Sequence, residues 1–139
     1  MDYEKCTTTV SDQRVVLSET SSRFELLNLK KLKIRKLLVD GCLLGSSSEK
    51  CDWILYVEKP DKKVLFVELK GCHIDKAISQ LKTTVNKTQE FFIGYKRESY
   101  IVSSRCPKSD ATMMRRKLEF QKITKSTLSI KNSSMQVCI

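Results

Sequence analysis

Residues 64–71 read VLFVELKG, and this stretch decides the fold. Five of its first six residues are apolar, the composition of a strand inside a protein. Its end is different: Glu68 and Lys70 stand two residues apart, immediately before Gly71. Side chains alternate faces along a strand, so these two are expected to point the same way. A buried strand that ends with a carboxylate and an ammonium side by side needs a reason.

The reason is sought upstream. CDWILYVE (51–58) is a second apolar strand, ended by KPDKK (59–63), where Pro60 and Asp61 suit a turn. The two runs predict an antiparallel hairpin in which Asp52, at the start of one strand, meets Glu68, near the end of the other. Two carboxylates at one rim repel unless a cation lies between them. Oxygen ligands with open positions suit Mg²⁺ or Mn²⁺. A divalent ion polarises phosphate and lowers the pKa of bound water. Lys70 would position that water or meet charge gathering on the phosphate.

Further out, Ile74, Ala77, Ile78, Leu81 and Val85 mark one face of a helix. SYIVSSR (99–105) predicts a strand, SDATMMRRKLEFQKI (109–123) a basic helix with Ser109 as N-cap, and STLSIKN (126–132) a last strand. Before the hairpin, KKLKIRKLLVDGCLL (30–44) predicts a strand with a turn or bulge at Asp40 and Gly41. SETSSRFELLNL (18–29), with cap residues Ser18 and Ser21, suits a short helix, and residues 1–17 a loosely held arm. The order strand, strand, strand, helix, strand, helix, strand gives an α/β (α+β) class: one domain over 1–139, with a mixed central sheet flanked by helices.

Asp52, then sixteen residues on VELKG with Glu68 and Lys70, resembles the active-site signature of the PD-(D/E)XK nuclease superfamily. Restriction endonucleases and Holliday-junction resolvases belong to it. The resemblance covers about residues 38–85 and implies a restriction endonuclease-like core. It implies metal held by Asp52, Glu68 and the Leu69 carbonyl, with Lys70 assisting the attacking water. It also implies a glutamine on the following helix, where Gln80 falls at the margin of the apolar face; a solvent-facing glutamine is the alternative. Cys51 replaces the family's proline. Some members bring a further acid from an N-terminal helix, for which Glu19 and Glu25 are both candidates. Asp40 is another acid at a strand end, with a turn aspartate before Gly41 as the plainer reading. His73 reads as a helix-start polar residue.

The chain carries 26 Lys and Arg against 16 Asp and Glu, a formal net charge of +10. Such a field favours a polyanion, nucleic acid first and an anionic membrane surface second. Basic residues crowd after residue 95: Lys96, Arg97, Arg105, Arg115, Arg116 and Lys117 are the expected phosphate contacts. Lys30, Lys31, Lys33, Arg35 and Lys36 form a second cluster. No base-reading motif is visible. The expected partner is therefore nucleic acid, DNA favoured over RNA, without a membrane, and a homodimer is left open. The expected activity is Mg²⁺-dependent phosphodiester hydrolysis, as an endonuclease. Its rivals are a non-catalytic nucleic-acid-binding module of the same fold and an RNA-cleaving toxin-type nuclease with an inhibitor partner.

The opening MDYEKCTTTVSDQ has no signal-peptide pattern, and no apolar run reaches the about 18 residues of a membrane span. A cytoplasmic setting is expected. The six cysteines show no C-x-x-C pair and there is one histidine, so free thiols are expected and zinc is not.

Overall fold

The structure is a computed structural model and describes residues 1–45, 49–70, 73–104 and 111–139, with residue 70 described in its backbone alone. The elements run α1 (Tyr3–Cys6), β1 (Thr7–Val10), β2 (Arg14–Glu19), β3 (Ser22–Leu27), β4 (Ile34–Leu38), β5 (Trp53–Val57) and β6 (Lys63–Lys70). Then follow α2 (Ile74–Lys87), β7 (Lys96–Ser103), α3 (Ala111–Thr124), β8 (Ser126–Asn132) and β9 (Ser134–Cys138). Six strands form a mixed sheet in the order β1-β4-β5-β6-β7-β8, and three form a smaller sheet, β2-β3-β9. The first three pairings of the large sheet are antiparallel; β6–β7 and β7–β8 are parallel.

The apolar run in β6 follows from burial on both faces. Val64 and Phe66 pack in one cluster with Ala77, Ile78 and Leu81 of α2 and Phe120 of α3. Leu65, Val67 and Leu69 pack in a second with Val15, Leu17, Phe24 and Leu26 of the smaller sheet. The molecule is thus an α+β fold of three layers: helices, large sheet, small sheet. The stripe expected on α2 is buried as read.

The N-terminal expectations are corrected. Residues 1–17 are not an arm but hold α1, β1 and part of β2, and residues 18–29 form a hairpin of β2 and β3 instead of a helix. Val15 and Leu17, then Phe24 and Leu26, recur at period two, and their shared face closes the second core. β9 continues that sheet by parallel pairing with β3.

The free-thiol expectation is corrected too. Cys6 and Cys42 form a disulfide across 36 residues of sequence, with Cα atoms 5.8 Å apart. Pairing of β1 with β4 brings them together: Thr7 lies opposite Leu37, and the turn after β4 folds back beneath α1. Cys51 is free and buried, Cys138 free and exposed; Cys72 and Cys106 lie outside the described residues. Among the described residues, no helix is long and apolar enough to cross a membrane.

Candidate active site

The hairpin of β5 and β6 pairs Trp53 with Val67 and Tyr56 with Val64, and one step further along that register Asp52 lies opposite Glu68. Asp52 is half-buried, and its Oδ2 accepts a hydrogen bond from the Leu69 amide at 2.7 Å. Glu68 is 1% exposed. It alternates with Leu69 and so belongs with Phe66 on the face that carries α2. Its register partner on β7 is Ile101, which packs in that same helical-side core.

Asp52 is fixed from several directions. Its carbonyl accepts from the amides of Val39 (3.1 Å) and Asp40 (3.4 Å). Gly41, at φ +83°, turns the chain there, a conformation that suits glycine. The Asp40 carboxylate is over half exposed and pairs with Lys50, whose side chain is only 10% exposed, at 3.7 Å. Asp40 thus combines the expected turn role with a place beside Asp52.

The residues before Asp52 are stitched to α2. Glu49 accepts from the hydroxyls of Ser79 (2.7 Å) and Thr83 (3.2 Å). The Cys51 amide donates to Thr84 Oγ1 (2.8 Å), and that hydroxyl donates to the Gln80 carbonyl (2.9 Å). Sequence reasoning missed this clamp. Its visible trace is Thr84, a polar residue buried within the apolar stripe of α2. Burial pushes the Cys51 thiol far above its ordinary value, with Glu68 and Asp52 adding to the rise and a hydrogen bond with Thr84 opposing it. Burial among these groups disfavours the thiolate of Cys51.

Gln80 sits on α2 between Ala77 and Thr84, both fully buried. Its Oε1 is buried without a hydrogen-bond partner among the described residues, which decides between the two readings of this residue in favour of an inward-turned amide. The donors at this rim are oxygens, as hard divalent cations require. Among the described residues, however, no group of three or more His, Cys, Asp or Glu side chains is placed to hold a metal. Lys70 ends β6 opposite Ser103. His73 precedes α2 and makes no side-chain cap hydrogen bond.

The remaining candidates disperse. Glu25 lies on β3, bonded to Arg14 (3.4 Å) and Gln136 (3.1 Å), between Phe24 and Leu26, whose face packs towards the large sheet. It belongs to a strand facing away from the site and not to an N-terminal helix; Glu19 ends β2. Lys96 and Arg97 begin β7, where Lys96 lies opposite Lys63. Glu68 is five residues further along, about 17 Å away, so these two are at the opposite rim. Arg97 donates to the Thr124 carbonyl at the end of α3 (3.0 Å), and Lys96 is 4.0 Å from Glu98. Arg116 pairs with Asp75 of α2 at 2.6 Å. Arg115 is exposed and Lys117 half-buried; Arg105 lies outside the described residues.

Comparison of the chain with protein-family models, curated proteins and solved structures gives no match.

Proposed function

We propose that the chain is a Mg²⁺- or Mn²⁺-dependent nuclease that hydrolyses phosphodiester bonds, DNA favoured over RNA, on a PD-(D/E)XK-like core. The observation that carries this reading is the hydrogen bond from the Leu69 amide to Asp52 Oδ2. It ties the lone aspartate to the residue between Glu68 and Lys70, so both parts of the D…E-x-K signature meet at one rim. The arrangement of β4, β5, β6, α2 and β7, antiparallel and then parallel across α2, is the order the resemblance implies and supports it further.

In a strand, the N–H and C=O of one residue face the same neighbour. The Leu69 carbonyl therefore faces the β5 side with its amide, beside Asp52. Asp52, Glu68 and that carbonyl would hold the ion, and Gln80 Oε1 supplies a further oxygen for it or for its water. When bound, the ion supplies a Lewis acid for the phosphate and a water of lowered pKa. The chain's own part is to hold these oxygens rigidly, which the clamp from Glu49, Cys51 and Thr84 does. Lys70, two residues beyond Glu68, carries the role of orienting the water or meeting charge on the phosphate.

The rival is a binding module without turnover. It is favoured by the absence, among the described residues, of three metal-ligating side chains in one group. Incubating the protein with single-stranded, duplex and branched DNA and with RNA separates the two. Cleavage in Mg²⁺ that EDTA abolishes is the expected result; binding without cleavage in either Mg²⁺ or Mn²⁺ selects the module.

A further inference from the structure

Asp52 and Trp53 are neighbours on one strand, so their side chains lie on opposite faces of the large sheet. Trp53 is on the face of Leu55 and Val57. The smaller sheet packs there against β6, β7 and β8. Towards the β1–β4 edge, the same face carries a cavity of about 290 Å³ lined by Lys5, Thr8, Val10, Lys36, Leu38 and Trp53. The Cys6–Cys42 disulfide lines its wall. Among the described residues, two lysines and no carboxylate line it, and the Lys36 ammonium lies 4.9 Å from the centre of the indole ring.

We propose that this patch stacks a base of a single-stranded nucleic acid whose phosphates lie on Lys5 and Lys36. An indole with flanking ammonium groups is the combination that single-strand binders use, because every base has a π-face while the backbone is anionic. A partly exposed cation–π contact is weaker than the stronger base–indole stacks, so an incoming base displaces Lys36 from the ring and frees its charge for phosphate. A duplex keeps its bases stacked inside and cannot make this contact. The patch and the candidate site meet at consecutive residues, so a strand held on Trp53 crosses the rim directly to Asp52. This names single-stranded nucleic acid as the substrate class and rests on the phosphodiester reading above.

Trp53 is the only tryptophan of the chain, so indole emission reports on this patch alone. The experiment titrates the protein, in EDTA, with a twelve-nucleotide thymidine strand and with a blunt duplex of equal phosphate content. Emission and the anisotropy of labelled strands are read together. The single strand should quench the indole with the midpoint that anisotropy gives, and the duplex should leave emission unchanged. Trp53→Ala should weaken single-strand binding about tenfold. Lys36→Gln, at a half-buried position, should lower the salt slope by about one even if the tryptophan variant folds poorly. Binding seen by anisotropy with unmoved emission overturns the patch and leaves the nuclease reading standing. Quenching without cleavage in Mg²⁺ keeps the patch and sinks the nuclease reading. No binding by either signal sinks both.

Discussion

Thr84 Oγ1 accepts the Cys51 amide at 2.8 Å and donates to the Gln80 carbonyl at 2.9 Å, so one buried hydroxyl fastens α2 to the residue before Asp52. Thr84→Val keeps the shape and removes both bonds, leaving a buried amide unsatisfied. The expected loss is about 1–3 kcal/mol in denaturant unfolding. Thr84→Ser should recover most of it. On the proposed function, the valine variant also binds Mg²⁺ more weakly, because Asp52 loses its upstream anchor. Equal stability of the two variants would mean the clamp contributes nothing.

The two carboxylates should separate under mutation. Glu68→Gln keeps volume and removes a buried charge. Cleavage should vanish while stability without metal stays level or rises, since desolvating a carboxylate is costly. Asp52→Ala removes the acceptor of the Leu69 amide and should cost about 1 kcal/mol as well as activity. Asp52→Asn, which keeps an acceptor oxygen, should restore stability and not activity. A large stability loss in Glu68→Gln would make that carboxylate structural and end the site reading.

Position in the fold, on α3 or at the start of β7, predicts which basic residues touch substrate. Arg115 is exposed on α3, so Arg115→Gln should weaken binding to all sequences alike and reduce the salt slope by about one. Lys96→Gln, at the far rim beside Glu98, should leave affinity unchanged. Affinities that respond to Lys96 and not Arg115 would place the nucleic acid at the wrong end of the sheet for Asp52.

Cys51 gives the pH prediction. Burial holds its thiol well above the ordinary cysteine value when folded, so the folded state keeps a proton that the unfolded chain releases. That contribution to stability is complete below about pH 9 and is lost as pH rises beyond it. Cys51→Ser should flatten the alkaline fall in stability. Peptide mapping after iodoacetamide at pH 8 should find Cys138 modified and Cys51 intact in the native protein, since thiolate is the reacting species. Modification of Cys51 at the rate of Cys138 would refute its burial.

Much of this fold is readable from the sequence wherever a pattern is long. VLFVEL is apolar because two layers cover it, and the α2 stripe spans three turns, so β4 to β8 and both long helices emerge in order. The N-terminal hairpin hides because β2 and β3 each offer only two buried apolar residues, diluted by Ser, Thr, Arg and Glu. β9 pairs with β3 across more than a hundred residues, and nothing local encodes that contact. At the site, Asp52 and Glu68 follow from a hairpin closed by KPDKK. The contribution of Glu49, Thr84 and Lys50 requires knowing how α2 docks. Charge clustering in sequence does not reveal which end of a strand a residue occupies, and Lys96 and Arg97 stand at the end of β7 away from Glu68.

The Cys6–Cys42 disulfide closes a loop spanning 36 residues of separation, and that loop ends next to the amides of Val39 and Asp40 that hold the Asp52 carbonyl. Restricting the unfolded chain over such a loop stabilises the fold by about 4 kcal/mol in the chain-entropy account. Cys6→Ser with Cys42→Ser should therefore lower unfolding free energy by up to that amount. Dithiothreitol should lower the melting temperature of the parent and leave the double variant unmoved. The patch around Trp53 should loosen with it, because both cysteines line the same cavity; reduction should shift indole emission to the red as water enters. The bond is also a chemical marker, since such links persist in oxidising surroundings and are rare where thiols are kept reduced. Mass analysis of protein made in a reducing and in an oxidising host compartment should find the two-hydrogen deficit of the bond only in the second. A melting temperature indifferent to both reductant and substitution would show that the link between α1 and the turn after β4 carries no stability.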